Sequence, residues 1–251
     1  MMNKKAEEMG LNSSHFVTPH GLDEEDHYTT AYELAKMADY ALNNEKFSQV
    51  VNTKTYIVNI NGRSKTISNT NELLGYLNGV NGVKTGFTNN AGRCLVTSVN
   101  RNGFNIITIV LGADSKKFRT KDSIELIEYT YSNYELIDLN NLVNEEYIRW
   151  ENINKKRINI NKAKDSKIDI LLEEYNLKKY PVKKDKEKNI NIEINNIKLD
   201  FDAPIKKGEK IADLIVLIDY KEVIKTKIII NNNIERKDTK FYFIELIKYL
   251  K

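Results

Sequence analysis

The side chains with the clearest capacity for chemistry are Lys84, Thr85 and Gly86, a Lys-Thr-Gly triplet in a strand-like run. Acyl transfer from a peptide needs a nucleophile, a base, donors for the oxyanion and a clamp for a carboxylate. A strand carrying this triplet can supply the donors for the oxyanion and the clamp for the carboxylate. Thr85 offers a hydroxyl to a substrate carboxylate, and Lys84 offers positive charge and proton transfer beside a nucleophile. Gly86 leaves room for a substrate backbone. The alternative for Lys84 is a solvated strand lysine.

A serine nucleophile is missing from the places where such a site would carry it. Sites of this type combine Ser-x-x-Lys, Ser-x-Asn and Lys-Thr-Gly boxes in that order. Ser-x-x-Lys occurs nowhere in the 251 residues. Ser98, Val99 and Asn100 spell Ser-x-Asn, but they follow the triplet at the end of a predicted strand, so we interpret them as a coincidence. The sequence therefore predicts half of an active site.

The residues around the triplet resemble the D-alanyl-D-alanine carboxypeptidases, which are the low-molecular-mass penicillin-binding proteins of bacterial cell-wall maturation. Six segments carry the resemblance: residues 15–23, 27–35, 69–74, 79–88, 91–96 and 203–210. The last of these is similar to the family's small C-terminal β-domain. The resemblance is dense over about residues 1–137 and patchy afterwards. Lys-Thr-Gly alone is weak evidence, whereas the triplet inside this ordered set is strong evidence.

The resemblance implies roles for further residues. It places the backbone N–H of Phe87 in the oxyanion hole, and it places Arg119 where the family carries an arginine that recognises the substrate carboxylate. A guanidinium suits that task because its fork matches two oxygens; the alternative is a surface arginine in a basic loop. Asn69 and Asn71 are implied to hold the loop leading to the triplet, with ordinary turn asparagines as the alternative.

The function implied by the resemblance is removal of the terminal D-alanine from a peptidoglycan stem peptide, through a serine acyl-enzyme and without a cofactor. Because the serine is absent, we expect the chain to be inactive alone and to bind β-lactams only when the missing N-terminal half is supplied. Two alternatives remain open. One is a non-catalytic cell-wall-binding or interaction protein, and the other is a β-lactamase-like protein, which the C-terminal module disfavours.

The first residues of the sequence resemble a stretch that in the family follows the Ser-x-Asn box. We therefore expect a truncated reading frame, a misassigned start or a fragment, with a pseudoenzyme as the alternative. The full-length family acts outside the cytoplasm, at the membrane or the cell wall. This sequence instead opens with charged residues and shows no apolar signal-peptide core.

Three histidines and one cysteine are the other candidates for chemistry. His15, His20 and His27 flank acidic residues, but their spacing matches no helical pair of metal ligands, and the resemblance places them in loop architecture near the cleft. We therefore predict no metal site. A single cysteine excludes an internal disulfide and a cysteine-rich zinc site. Cys94 lies in an apolar strand pattern, which predicts a buried small hydrophobic residue.

Composition and charge bear on the possible partners. The net charge is +4, and the lysines clustered between Lys178 and Lys188 have a single aromatic residue among them, Tyr180, and form no basic stripe interleaved with aromatic residues. They indicate a solvated loop or sheet edge, and we predict no nucleic-acid partner. No apolar run reaches the roughly 18 residues of a membrane span. Residues 241–251 predict a short amphipathic helix, which lies on a membrane surface or packs on the preceding module; both remain open.

Periodicity indicates the elements that must position the triplet. Helices are predicted at residues 1–10 and 120–134. Another helix is predicted to begin after a capping box formed by Thr29 or Thr30 with Glu33. Strands are predicted at 53–60, 63–67, 82–87, 93–99, 105–112, 189–194, 211–218 and 223–230. The predicted fold class is α+β: a partial penicillin-binding-protein/β-lactamase-like domain, with an antiparallel sheet flanked by helices, then a small mainly-β domain. The predicted domain limits are 1–137, 145–240 and a tail helix at 241–251.

Overall fold

The computed structural model describes residues 1–184 and 189–249. The chain divides into two compact units, and the boundary falls between Asn133 and Tyr134. Both units mix helices with strands. The first unit contains the Lys-Thr-Gly triplet, and the second contains the longer run of short strands.

The first unit is built around a three-stranded antiparallel sheet. Its helices are α1 (Met2–Glu8), α2 (Ala31–Leu42), α3 (Glu45–Val51) and α4 (Lys116–Asn133). Its strands are β1 (Thr55–Ile60), β2 (Arg63–Ser68), β3 (Val80–Thr88), β4 (Gly92–Arg101) and β5 (Phe104–Ala113). The sheet has the order β3-β4-β5, and β1 and β2 form a separate hairpin. All five strands were predicted, with ends that differ by a few residues.

Helices pack on both faces of this sheet. On one face, Leu95 and Val99 of β4 pack with Ile127 of α4. On the other face, Val96 packs with Ala38 of α2 and with Val51 of α3. The predicted helical stripe on α4 is confirmed. The helix begins at Lys116, four residues before the predicted start at Thr120, because the Ser115 hydroxyl accepts a hydrogen bond from the backbone N–H of Phe118 at 3.2 Å.

Helix α2 begins as the sequence predicts, but its glutamate has a different partner. The Thr30 hydroxyl accepts a bond from the backbone N–H of Glu33 at 3.2 Å, which is one half of a capping box. The buried carboxylate of Glu33 instead accepts bonds from the Ser14 hydroxyl and from the Ser13 backbone. The bond from Ser14 lowers the pKa of Glu33. Glu33 therefore ties α2 to the preceding loop.

The second unit has a four-stranded antiparallel sheet and two small strand pairs. Its helices are α5 (Leu139–Asn154), a 3₁₀ turn (Lys155–Arg157) and α6 (Thr239–Tyr249). Its strands are β6 (Tyr134–Asp138), β7 (Asn159–Asn161), β8 (Ile170–Leu172), β9 (Lys179–Lys183), β10 (Ile190–Asn195), β11 (Asp200–Asp202), β12 (Lys210–Ile218) and β13 (Lys221–Ile230). The large sheet has the order β10-β12-β13-β8, while β6 pairs with β9 and β7 pairs with β11.

Helix α5 was not predicted from the sequence. It spans 16 residues, and Asp138 caps its first turn by accepting bonds from two backbone N–H groups. Leu139 and Val143 are fully buried and pack with residues of β12 and β13. Trp150 of the same helix is buried in a second core cluster of this unit. The second unit therefore combines its sheet with one long helix that supplies much of its core.

The tail forms the predicted helix over its described length. Helix α6 exposes a set of large apolar side chains: Tyr242, Phe243, Ile244, Leu246 and Ile247. Residues 250 and 251 of the predicted tail lie outside the described residues, as do residues 185–188 of the lysine cluster. Within the described ranges, no helix has the length and hydrophobicity needed to cross a membrane.

Candidate functional site

The Lys-Thr-Gly triplet lies in the second half of β3, which is an edge strand of its sheet. Its antiparallel register pairs Lys84 with Val96, Thr85 with Leu95, and Gly86 with Cys94 of β4. An edge strand presents one row of backbone N–H and C=O groups away from its sheet partner, so an extended peptide can add to it. Such a strand suits the clamp that the sequence predicts.

The side chain of Lys84 is exposed on this edge. Its Nζ donates a hydrogen bond to the backbone carbonyl oxygen of Thr85 at 2.7 Å. The ammonium group therefore lies against the backbone of the triplet itself. Phe87, two residues beyond Thr85, is also exposed, and the Arg93 guanidinium lies 3.6 Å from its ring centre. The oxyanion role of the Phe87 backbone N–H stays a prediction.

The hydroxyl of Thr85 has a partner that the sequence did not suggest. Its Oγ1 lies 2.6 Å from Oγ1 of Thr70, which belongs to the loop before β3. A hydroxyl both donates and accepts, so this contact orients Thr85 and leaves it hydrogen-bonding capacity for a ligand. Thr70 is therefore a member of the candidate site.

The two asparagines around Thr70 fix this loop, as predicted. Asn71 is buried, and its side-chain amide donates to the carbonyl oxygen of Gly82 in β3 at 3.0 Å. The Asn69 amide donates to the carbonyl oxygens of Val51 and Thr53 at 3.2 and 3.1 Å. Asn69 also accepts a bond from the backbone N–H of Asn71 at 3.0 Å. The pair anchors the loop to the triplet strand on one side and to the end of α3 on the other.

Arg119 is a buried residue of helix α4. Its residue exposure is only 3%, so the alternative of a surface arginine in a basic loop is wrong. One terminal nitrogen donates to Oε2 of Glu72 at 3.2 Å, and the neighbouring Thr120 hydroxyl donates to the same oxygen at 2.9 Å. Its role in recognising a carboxylate stays a prediction.

One short loop links the triplet to the arginine. Thr70 contacts Thr85, and Glu72 contacts Arg119. Two residues of extended chain span at most about 7 Å, so the Cα atoms of Thr70 and Glu72 lie within about that distance of each other. Sequence reasoning named Thr85 and Arg119 but missed Thr70 and Glu72. The only signal for them was their position between the two predicted asparagine anchors.

Glycine at position 86 is not required by the fold of this chain. A Cβ atom at Gly86 would meet only the Cβ of Cys94, at 3.6 Å, which is an ordinary van der Waals distance. Gly86 is also absent from the residues with positive φ. Glycine inside a strand nevertheless costs roughly 0.5–1 kcal/mol relative to alanine. A glycine that the fold does not need, and that costs stability, is expected where a substrate backbone must approach the strand edge.

We expect Gly86→Ala to leave the isolated chain as stable as before or to stabilise it, by up to about 1 kcal/mol. Alanine reduces the freedom of the unfolded chain, and the native site has room for its methyl group. Denaturant unfolding measures the effect. Gly79→Ala is the matched control, because its φ is +83° and its Cβ would meet the carbonyl oxygen of Asn100. A clear loss of stability in Gly86→Ala would show that the fold itself requires this glycine.

Cys94 and His27 line one pocket with Thr88, at the far end of the triplet strand. Cys94 is only half-buried, so the prediction of a buried residue is wrong; its Sγ lies 3.4 Å from the carbonyl oxygen of Ala91, within a tight turn. Nδ1 of His15 lies 2.7 Å from the carbonyl oxygen of Asp26, and the His27 ring packs edge-on against Phe16. Among the residues that the structure describes, no three His, Cys, Asp or Glu side chains converge to hold a metal ion.

Comparison with known sequences gives matches in both units. The family "D-alanyl-D-alanine carboxypeptidase" matches residues 1–115, and "Penicillin-binding protein 5, C-terminal domain" matches residues 150–236. The D-alanyl-D-alanine carboxypeptidase DacF of Bacillus subtilis is 32% identical over 222 residues, which cover 87% of this chain and 54% of the relative. The chain thus spans about half the length of the curated relatives it matches.

Solved structures give the same result. Penicillin-binding protein 5 of Haemophilus influenzae superposes with a TM-score of 0.65 at 22% identity, covering 94% of this chain and 65% of that chain, which supports the fold alone. The Streptomyces K15 DD-transpeptidase superposes with a TM-score of 0.50 at 34% identity, covering 52% of each chain. The predicted α+β fold class and the predicted resemblance are confirmed. By its two domain matches and its relatives, the chain is similar to the D-alanyl-D-alanine carboxypeptidases in both of its units.

Proposed function

We propose that this chain supplies the substrate-clamping half of a serine-type D-alanyl-D-alanine carboxypeptidase site. The observation that carries the proposal is the exposed Lys-Thr-Gly edge strand, whose threonine is linked through loop 69–72 to a buried arginine. The substrate would be a peptidoglycan stem peptide ending in D-Ala-D-Ala. Its backbone would lie along β3 beside Gly86, with its terminal carboxylate toward Thr85 and Arg119.

The reaction needs a serine that the 251 residues do not provide in a Ser-x-x-Lys box. A segment carrying that box and Ser-x-Asn would place the serine oxygen against the carbonyl carbon of the penultimate D-alanine. Attack forms an ester and breaks the peptide bond, and the serine proton passes to the amine of the departing D-alanine. Water then hydrolyses the ester. Lys84 would assist proton transfer and stabilise negative charge, and the Phe87 backbone N–H would bind the oxyanion.

Lys84 is suited to this role by its position. Its ammonium lies on the exposed edge, 2.7 Å from a backbone oxygen of the triplet, so it remains solvated until a substrate covers it. An ammonium in a site that excludes water interacts more strongly with a developing negative charge than one in bulk solvent. No cofactor is needed for this chemistry.

The proposed function also implies where the protein acts and what it binds. Joined to a segment that carries the serine, the protein would act outside the cytoplasm at the cell wall, and it would bind β-lactams. The exposed apolar side chains of α6 would allow peripheral contact with a membrane. The match of residues 150–236 to a penicillin-binding-protein C-terminal domain favours a carboxypeptidase over a β-lactamase.

The test joins this chain in frame to a preceding segment that carries Ser-x-x-Lys and Ser-x-Asn. The joined protein should release D-alanine from an acylated Lys-D-Ala-D-Ala peptide and should prefer the free acid to its C-terminal amide. In Arg119→Ala, the preference for the acid should fall, because losing one partner of a buried charge-assisted contact costs about 2–5 kcal/mol.

Arg149→Ala is the control for this test, since Arg149 is an exposed arginine of the second unit. A melting curve checks that Arg119→Ala still folds. Equal losses on acid and amide would remove Arg119 from the site. A joined, folded protein that binds stem peptide without releasing D-alanine would support the alternative of a non-catalytic cell-wall-binding protein.

A further inference from the structure

The charge of Arg119 needs a counter-ion in this fold. A guanidinium cannot lose its proton at physiological pH, and an unpaired buried charge is strongly destabilising. Only 3% of Arg119 is exposed, and its carboxylate partner is Glu72 at 3.2 Å. Its Nε is buried and has no hydrogen-bond partner among the described residues. The guanidinium is therefore held by one carboxylate and retains an unused donor.

Glu72 differs from Arg119 in its access to solvent. Its side chain is 48% exposed, so its carboxylate can move into water at little cost in solvation. It is retained by two donors, Arg119 and the Thr120 hydroxyl, which are consecutive residues near the start of α4. The exposed partner of this ion pair is the one that can be exchanged for another carboxylate.

Glu72 is also connected to the triplet through a short stretch of loop. It is two residues from Thr70, whose hydroxyl contacts that of Thr85 at 2.6 Å. A substrate carboxylate held jointly by Thr85 and Arg119 would approach the guanidinium where the Glu72 carboxylate now lies. Two carboxylates in one place repel each other, so the second can bind only when the first has moved.

We propose that Glu72 is an internal counter-ion, which occupies the carboxylate-binding position of Arg119 and must be displaced by the substrate. This inference rests on the proposed function and adds a specificity residue to it. It requires an anionic ligand, because a neutral amide cannot compensate the buried guanidinium once Glu72 leaves. Glu72 therefore lowers the affinity for every ligand at this position and favours those that carry a carboxylate.

The test uses the full chain and the ligands N-acetyl-D-alanine and N-acetyl-D-alaninamide. The Nε–H group of Arg119 is buried, so its resonance in a ¹⁵N-labelled sample reports directly on the guanidinium. Titration with N-acetyl-D-alanine should shift this resonance, and the amide should not. In Glu72→Gln, the dissociation constant for the acid should fall about tenfold, because the arginine is no longer occupied by a competing carboxylate.

Two further variants separate competition from general effects. Thr120→Val removes one of the two donors that hold Glu72 and leaves the charges intact, so it should strengthen binding about threefold. Glu125→Gln is the matched control, because Glu125 is an exposed glutamate on α4 that pairs with Lys121, and it should change nothing. Melting curves show whether Glu72→Gln folds; if it does not, Thr120→Val decides the question.

The inference is overturned if folded Glu72→Gln or Thr120→Val binds the acid no better than the parent chain or Glu125→Gln. It is also overturned if the variants gain equally for acid and amide, since Glu72 would then be only a structural partner of Arg119. If Glu72→Gln gains affinity for the acid while the joined protein releases no D-alanine, Glu72 is confirmed as the counter-ion and the proposed carboxypeptidase function fails.

Discussion

The 251-residue chain should form no covalent adduct with a penicillin. A β-lactam acylates the serine that starts the reaction, and no Ser-x-x-Lys box is present to supply it. Removing the nucleophile from a serine hydrolase lowers turnover by about 10⁶-fold, so the expected labelling is indistinguishable from zero. Intact-mass measurement after prolonged incubation with benzylpenicillin gives the result directly.

The joined protein is the positive control for that measurement. It should gain the mass of one penicillin, on the serine of the added Ser-x-x-Lys box. The chain alone contains other serines, and Ser98 of the Ser-x-Asn sequence is buried in β4. An adduct on any residue of the unjoined chain would mean that this chain contains a nucleophile of its own, and the half-site interpretation would then be wrong.

Lys84→Ala in the joined protein should nearly abolish acylation. Lys84 is the exposed cation of the triplet, and general acid–base assistance contributes about 10²–10⁴-fold to rate. The loss should be the same for penicillin and for the D-Ala-D-Ala peptide, because both are attacked by the same serine. Stopped-flow or quenched labelling measures the acylation rate separately from later hydrolysis.

Stability should be almost unchanged in that variant. Lys84 is exposed and donates a hydrogen bond to the backbone of Thr85, and surface substitutions of this kind change stability by about 0.5 kcal/mol or less. Lys65→Ala, at an exposed lysine on strand β2, is the matched control and should retain full acylation. Wild-type acylation in Lys84→Ala would leave this lysine as an ordinary solvated strand residue.

The Lys84→Ala and Arg119→Ala variants should thus differ in which ligands they affect. Lys84→Ala should fail with every acylating substrate, since its effect is on the chemical step. Arg119→Ala should act mainly on ligands with a free carboxylate, since its effect is on recognition.

Much of the first unit was predictable from local sequence. Asn61 with Gly62, and Asn102 with Gly103, all have positive φ in the structure, as hairpin turns between alternating apolar strands require. These turns and the period-two pattern determined that Lys84 lies on a strand within an antiparallel sheet. The Ile124, Ile127 and Tyr131 stripe determined α4, because residues three and four apart share one helix face.

Helix α5 shows where local pattern was insufficient. Leu139, Val143 and Trp150 do recur at helical spacing, but the positions between them mix asparagine and charged residues with further apolar ones, so no clean stripe stands out. The helix is stabilised by burial against β12 and β13, which lie far along the chain. Its apolar residues can be recognised as a buried helix face only when that surface is known, because tertiary packing contributes most of the stability of a protein helix.

The sequence by itself determined the triplet, its strand and the family resemblance, since these depend on residue type and short-range order. Only the tertiary structure decided which side chains meet. Glu33 was expected to cap its own helix and instead binds Ser14, 19 residues away. Glu72 binds Arg119 across 47 residues, and Thr70 binds Thr85 across 15. No periodicity encodes such pairs, because they depend on how separate elements pack, and a buried charge takes whichever partner the packing brings within reach.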